Sequence, residues 1–84
     1  MSRHVHKLIA ETAKGVAAEW YADSARHDNA FYKANPSEDQ FVRHNWGMFV
    51  EIARTVLVSM LRMNYPEHTK AEIYEALLHN HALH

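Results

Sequence analysis

The chain has 84 residues, with nine Lys and Arg, ten Asp and Glu and eight His, so its formal net charge is −1 when the histidines are neutral. This length allows one domain, and a domain so short buries only about 60% of its unfolded surface. There is no cysteine for a disulfide, no basic stripe for a phosphate backbone, and no apolar run near the roughly 20 residues that span a bilayer. We therefore expect a single cytoplasmic domain over residues 1–84 with no cofactor.

Prolines mark the boundaries between the predicted helices. The residue before Pro36 is biased away from helical angles, and Ser37 with Gln40 has the spacing of a capping box. Pro66 gives a second break, and Thr69 is the next expected N-cap. The chain therefore divides into three predicted helices, over about residues 3–33, 38–63 and 70–81.

Apolar residues recur at helical spacing in the first two predicted helices. In the first, the apolar stripe consists of Val5, Ile9, Ala13, Val16, Trp20, His27 and Phe31. In the second, it consists of Phe41, Asn45, Met48, Phe49, Ile52, Val56 and Met63. Because short turns make sequential helices antiparallel neighbours, we expect an all-α fold: a long antiparallel helical hairpin, stripe against stripe, with a short third helix.

The second predicted helix has more apolar surface than one neighbour covers. Beside its stripe lies a flank formed by Trp46, Val50, Leu57 and Leu61. A helix that is apolar on two sides is central to its structure, and the short third helix covers only part of this flank. We expect a second copy of the chain to cover the remainder, so that a homodimer completes the bundle.

Two further features suggest contacts with a partner. Small residues recur on the side of the first helix away from its stripe, at Gly15, Ala18, Ala22 and Ala25. Small residues let another backbone approach closely, although alanines are also good surface helix formers. Tyr32 and Trp46 lie off the main stripes and belong to the residue types that anchor interfaces, unless they pack against the third helix.

Polar residues interrupt the seam of the predicted hairpin. If its turn centres near Pro36, His27 lies level with His44 and Asn45, and Asp23 lies one turn away. Such a layer typically sets register or oligomeric state, but it also allows a partner contact, acid–base chemistry or a metal site, with Asp23, His27 and His44 as weak candidate ligands. The terminal histidines are expected to be solvated on frayed ends: His4, His6, His79, His81 and His84.

Motifs of enzymes are missing from the sequence. It has no phosphate loop, nucleophile elbow, zincin motif or Glu-x-x-His pair of a di-iron bundle, so we expect no enzyme. Glu72 and Glu75 disfavour DNA binding by the third helix, because they repel phosphates. We expect a homodimeric protein–protein interaction module that binds and regulates or inhibits another protein. The small size of the chain also suits a phage accessory protein. The alternatives are a His-based metal- or pH-responsive module and a nucleic-acid-binding regulator acting through the third helix.

Overall fold

The computed structural model describes residues 5–82, with the side chains of residues 5–78. Every regular element in this part of the chain is helical, so the all-α prediction is confirmed. None of these helices is long and apolar enough to cross a membrane. The elements are α1 (Lys7–His27), α2 (Asn29–Ala34), α3 (Glu38–Asn45), a 3₁₀ turn (Trp46–Phe49), α4 (Val50–Met60) and α5 (Glu67–Ala82).

The first predicted helix is interrupted at Asp28. This residue has φ −135° and ψ 98°, and its carboxylate accepts a hydrogen bond from the backbone N–H of Phe31 at 3.1 Å. Asp28 is therefore the N-cap of α2, which is a role that aspartate favours over the helix interior. The predicted N-cap at Ser37 is confirmed, because its hydroxyl accepts from the backbone N–H of Gln40 at 3.2 Å.

The second predicted helix is interrupted by the 3₁₀ turn. Asn45 has φ −123° and ψ −3°, and Phe49 has φ −103° and ψ 7°, both outside the range of an α-helix. The α-helical hydrogen-bond pattern therefore stops after α3 and resumes in α4. A helical spacing of 100° per residue that is counted from α3 therefore does not predict which residues of α4 lie on the same face.

The last helix begins earlier than its sequence pattern predicts. The backbone N–H groups of Thr69 and Lys70 both donate to the carbonyl of Pro66 at 3.1 Å. Thr69 therefore lies inside the first turn of α5 and is not its N-cap. Proline fixes φ near the helical value, which suits it to the start of a helix.

The fully buried part of the core is small and rich in alanine. α1 lies centrally and packs against α2, α3, the 3₁₀ turn, α4 and α5. Among the described residues, the only large side chains that are fully buried are Ile9, Leu57 and Ile73. Alanines allow close helix packing but bury little apolar area each. The remaining buried apolar residues are Ala13, Ala17, Tyr21, Phe49, Ala53 and Ala76.

The apolar faces of α4 are the reverse of the prediction. Leu57, which was assigned to the outer flank, is 1% exposed, whereas Ile52 and Val56 of the predicted inward stripe are 50% and 37% exposed. The predicted stripe runs from Phe41 and Asn45 into α4 only if the helix is continuous. Because the 3₁₀ turn separates α3 from α4, that phase no longer identifies the inward face.

Aromatic rings hold the turn between α2 and α3 against α1. The Tyr21 hydroxyl donates to the carbonyl of Asn35 at 2.6 Å. Burial raises the pKa of Tyr21, and the nearby Tyr32 and Glu38 add to this rise, which favours the protonated phenol that donates this hydrogen bond. Rings of Trp20 and Phe41 stack beside it with centroids 5.6 Å apart.

The molecule is flat and extended for its length. Its Cα atoms span 42 × 35 × 16 Å with a radius of gyration of 14.6 Å, whereas a compact chain of this length has a radius of about 12 Å. Its accessible area is 6140 Å², against about 5,200 Å² for a compact monomer of this size. The chain thus leaves roughly 900 Å² more surface in solvent than its length requires.

Candidate self-association surface

α4 and its flanking turns present large apolar side chains to solvent. We call this the outer stripe: Met48, Ile52, Val56 and Met63, which are 75%, 50%, 37% and 52% exposed. At 100° per residue, Ile52 points about 140° away from the core residue Leu57. Ile52 therefore lies on the side of α4 that the chain's own core does not use, and Val56, about 100° from Leu57, lies at the border of that side. Aligned apolar side chains of this kind mark interaction sites more often than isolated ones do.

The polar groups on this side of α4 are already satisfied within the helix. The Thr55 hydroxyl donates to the carbonyl of Glu51 at 3.1 Å, and the Ser59 hydroxyl donates to the carbonyl of Thr55 at 3.0 Å. A hydroxyl that bonds back to its own helix loses little when it leaves water. If another apolar surface covers the outer stripe, the hydroxyls of Thr55 and Ser59 therefore keep their hydrogen-bond partners.

The interface residues predicted on α4 and the 3₁₀ turn lie toward the core instead. Trp46, Val50 and Leu61 are half-buried and pack against the core that contains Leu57. The ring of Trp46 also has the ammonium of Lys14 at 5.3 Å from its centroid, which is a cation–π contact within the chain. Part of each side chain is therefore used in internal packing, and the contact of these residues with a partner stays a prediction.

The small-residue face of α1 is open. Gly15 and Ala22 are exposed and Ala18 and Ala25 are half-buried. A Cβ atom added at Gly15 would have no neighbouring atom within 4 Å. Nothing in the chain itself therefore requires a glycine at this position.

Replacing Gly15 with alanine is expected to raise the free energy of unfolding by about 1 kcal/mol, because glycine is that much less favourable than alanine inside a helix. Urea denaturation followed by circular dichroism measures this change. If the small-residue face docks closely against another backbone, the added methyl group will instead weaken association, which light scattering on the same variant detects.

The polar layer predicted in the seam does not form. Asp23 and His27 pair on the surface of α1, with the carboxylate Oδ1 3.4 Å from Nδ1 and side chains 71% and 67% exposed. His44 is exposed as well, and the Asn45 side-chain amide donates to the carbonyl of Phe41 at 2.9 Å. The prediction failed because the buried residues of α1 repeat every fourth position and end at Tyr21.

Candidate metal ligands do not converge in the described residues. No group of three or more His, Asp or Glu side chains within residues 5–78 is arranged to hold a metal ion. The weak candidates Asp23, His27 and His44 therefore do not form a site together. His4 and the side chains of His79, His81 and His84 lie outside the part that the structure describes.

An open groove of about 350 Å³ lies between the start of α1 and α5. Its lining combines acidic and basic groups, among which Lys7 and Glu11 form an exposed pair at 4.0 Å. The ring Nδ1 of His6 accepts the backbone N–H of Leu8 at 3.1 Å and so caps α1. The lining residues are His6, Lys7, Leu8, Glu11, Glu72 and Glu75.

Comparisons of this chain with protein-family models, curated proteins and solved structures found no match.

Proposed function

We propose that this chain is a small protein-interaction module that works as a homodimer in the cytoplasm, and that the dimer binds and regulates or inhibits another protein. The observation that supports it most is the outer stripe, which leaves large side chains in solvent while alanines fill much of the core. Domains of this length often complete a small core by oligomerisation. Two copies of α4, packed stripe against stripe, would complete a helical bundle.

The surface area supports the same proposal. The accessible area of 6140 Å² exceeds that of a compact monomer by roughly 900 Å². Stable protein interfaces of standard size bury about 800 Å² on each partner. The excess is comparable with the area of one such interface, but it is spread over a flat molecule and is not confined to the outer stripe.

Binding of a target would use residues outside the outer stripe. Trp20 and Tyr32 are 47% and 48% exposed, and both residue types are common among those that dominate binding energy. Trp20 is held in place by its ring contacts with Phe31 and Phe41, so little side-chain entropy is lost when a partner covers it. A regulator or inhibitor of this kind acts by occupying a surface of its target.

A substitution that introduces a charged residue into the outer stripe tests the homodimer. Val56→Asp is expected to convert the dimer to a monomer at micromolar concentration, because pairing would bury a carboxylate from each chain. Val58→Asp is the matched control, since Val58 is 41% exposed and points about 160° away from Val56 on the same helix. Light scattering across a concentration series measures the mass of each protein.

Three results would count against the homodimer: a wild-type chain that stays monomeric at high micromolar concentration, equal loss of dimer in both variants, or no loss in either. Circular dichroism of each variant shows whether its helices remain intact. Target binding has a separate readout. A protein captured by the wild-type chain but not by folded Tyr32→Ala supports binding at that end of the molecule, and equal capture by both contradicts it.

A further inference from the structure

We infer that Met48 and Met63 are modification sites at which a peroxide converts the thioether to a sulfoxide, and that this change weakens the proposed homodimer without unfolding the chain. The choice of the two sites rests on their exposure within the chain and does not depend on the homodimer. The effect on pairing rests on the proposed function, because both residues belong to the outer stripe.

The methionines of the chain differ in how far solvent reaches their side chains. Met48 is the most exposed large apolar residue in the described part of the chain, and Met63 is 52% exposed. Met60 is half-buried and packs against the core cluster. Met1 lies outside the described residues. A dissolved oxidant therefore meets the side chains of Met48 and Met63 more readily than that of Met60.

The composition of the chain favours methionine as the target of a peroxide. The sequence contains no cysteine, so no thiolate competes for the oxidant, and methionine is the side chain on which such oxidants commonly act. The sulfur lone pair attacks one oxygen of hydrogen peroxide, the O–O bond breaks as the S–O bond forms, and the other oxygen leaves as water with both protons. The sulfur thus loses two electrons, and the peroxide gains them.

A sulfoxide at either site changes the polarity of the outer stripe. Oxidation turns a flexible apolar side chain into a polar one and so disrupts surfaces that methionine helps to bury. Within the described residues, neither Met48 nor Met63 belongs to the core cluster or to the apolar side chains packed against it, so we expect the helices to stay folded. Pairing would have to remove water from the sulfoxide, and each sulfoxide is expected to raise the dissociation constant by about tenfold.

Peptide mapping after peroxide treatment tests the choice of sites. Arg54 and Arg62 lie between the three described methionines in the sequence, so trypsin places each methionine in its own peptide. At a protein concentration where the chain is monomeric, mass spectrometry is expected to find oxygen added at Met48 and Met63 several-fold faster than at Met60. Equal rates at all three methionines, or a faster rate at Met60, would overturn the assignment, whether or not the chain dimerises.

Leucine variants test the effect on pairing, because leucine replaces methionine at similar volume and peroxide does not oxidise it. Met48→Leu/Met63→Leu is expected to dimerise as the wild-type chain does and to keep its dissociation constant after peroxide treatment. Met60→Leu is the matched control, since it retains both sites and is expected to lose affinity as the wild-type chain does. Analytical ultracentrifugation before and after treatment measures the dissociation constants, and circular dichroism measures the helical content.

The outcomes separate this inference from the homodimer. A wild-type dimer that keeps its affinity when Met48 and Met63 are fully oxidised would overturn the effect on pairing and leave the homodimer standing. Loss of affinity in the oxidised double leucine variant would overturn it too, because the sensitive side chain would then lie elsewhere. Loss of helical signal on oxidation would show that the two methionines support the fold. A monomeric wild-type chain would remove the homodimer and the effect on pairing, while the peptide map still decides the modification sites.

Discussion

Leu57→Ala is expected to lower the free energy of unfolding by about 3 kcal/mol, a typical loss for a fully buried leucine. Leu57 is 1% exposed and belongs to the core cluster with Ile9, Ala13 and Ala53. Domains of this size have total stabilities of about 5–15 kcal/mol, so this single change removes a large share. Chemical denaturation followed by circular dichroism, at a protein concentration where the chain is monomeric, measures the loss.

The neighbouring residue supplies the control for Leu57. Val58 is 41% exposed, and Val58→Ala is expected to change the free energy of unfolding by less than about 0.5 kcal/mol, as surface substitutions usually do. The sequence pattern alone predicted an interface role for Leu57. If Leu57→Ala weakens dimerisation while the monomer keeps its stability, that prediction is right and the inward placement of Leu57 is wrong.

Ile73→Ala is expected to cost a similar amount, about 3 kcal/mol, and to act mainly on α5. This helix packs against α1 and α4, and its buried residues in the described part are Ile73 and Ala76, at 1% and 0% exposed. Without the isoleucine, α5 keeps Ala76 and the half-buried Leu77 as its main apolar contacts with the core. Local detachment of α5 then requires less free energy than global unfolding.

Hydrogen exchange distinguishes these two kinds of unfolding. Amides of α5 are expected to lose protection in Ile73→Ala while those of α1 retain most of theirs. Tyr74→Ala is the control, because Tyr74 is adjacent but 56% exposed. An equal loss of protection along α1 and α5 would show that the helices unfold as one unit.

Local chemistry was sufficient to predict the helical class and one of the boundaries. Pro36 and Ser37 act through their own backbone and side chain, so their effects are readable without knowledge of the rest of the fold. The break at Asp28 has a similar local origin, an aspartate that caps Phe31 three positions later. The apolar spacing continues past Asp28 to Phe31, so the periodicity of the sequence does not show this break.

The faces of α4 could not be assigned from the sequence in the same way. Both sides of this helix carry large apolar residues, so periodicity alone does not say which one meets α1. The decision depends on the close packing around Ala53 and Ala13, both 0% exposed, and alanines contribute little to an apolar pattern. Periodicity likewise does not show that His27 of α1 faces outward, and the predicted polar layer depended on His27 facing inward.

The alanine-rich core has a consequence for the abundance of the protein in a cell. Under the proposed pairing, association adds to the stability of each fold by mass action, so the unfolded fraction falls as the concentration rises. Unfolded chains are the ones that proteases remove. If the chain pairs as proposed, the lifetime of the protein therefore depends on its dosage: chains made in small amounts are expected to be degraded quickly and chains made in large amounts to persist.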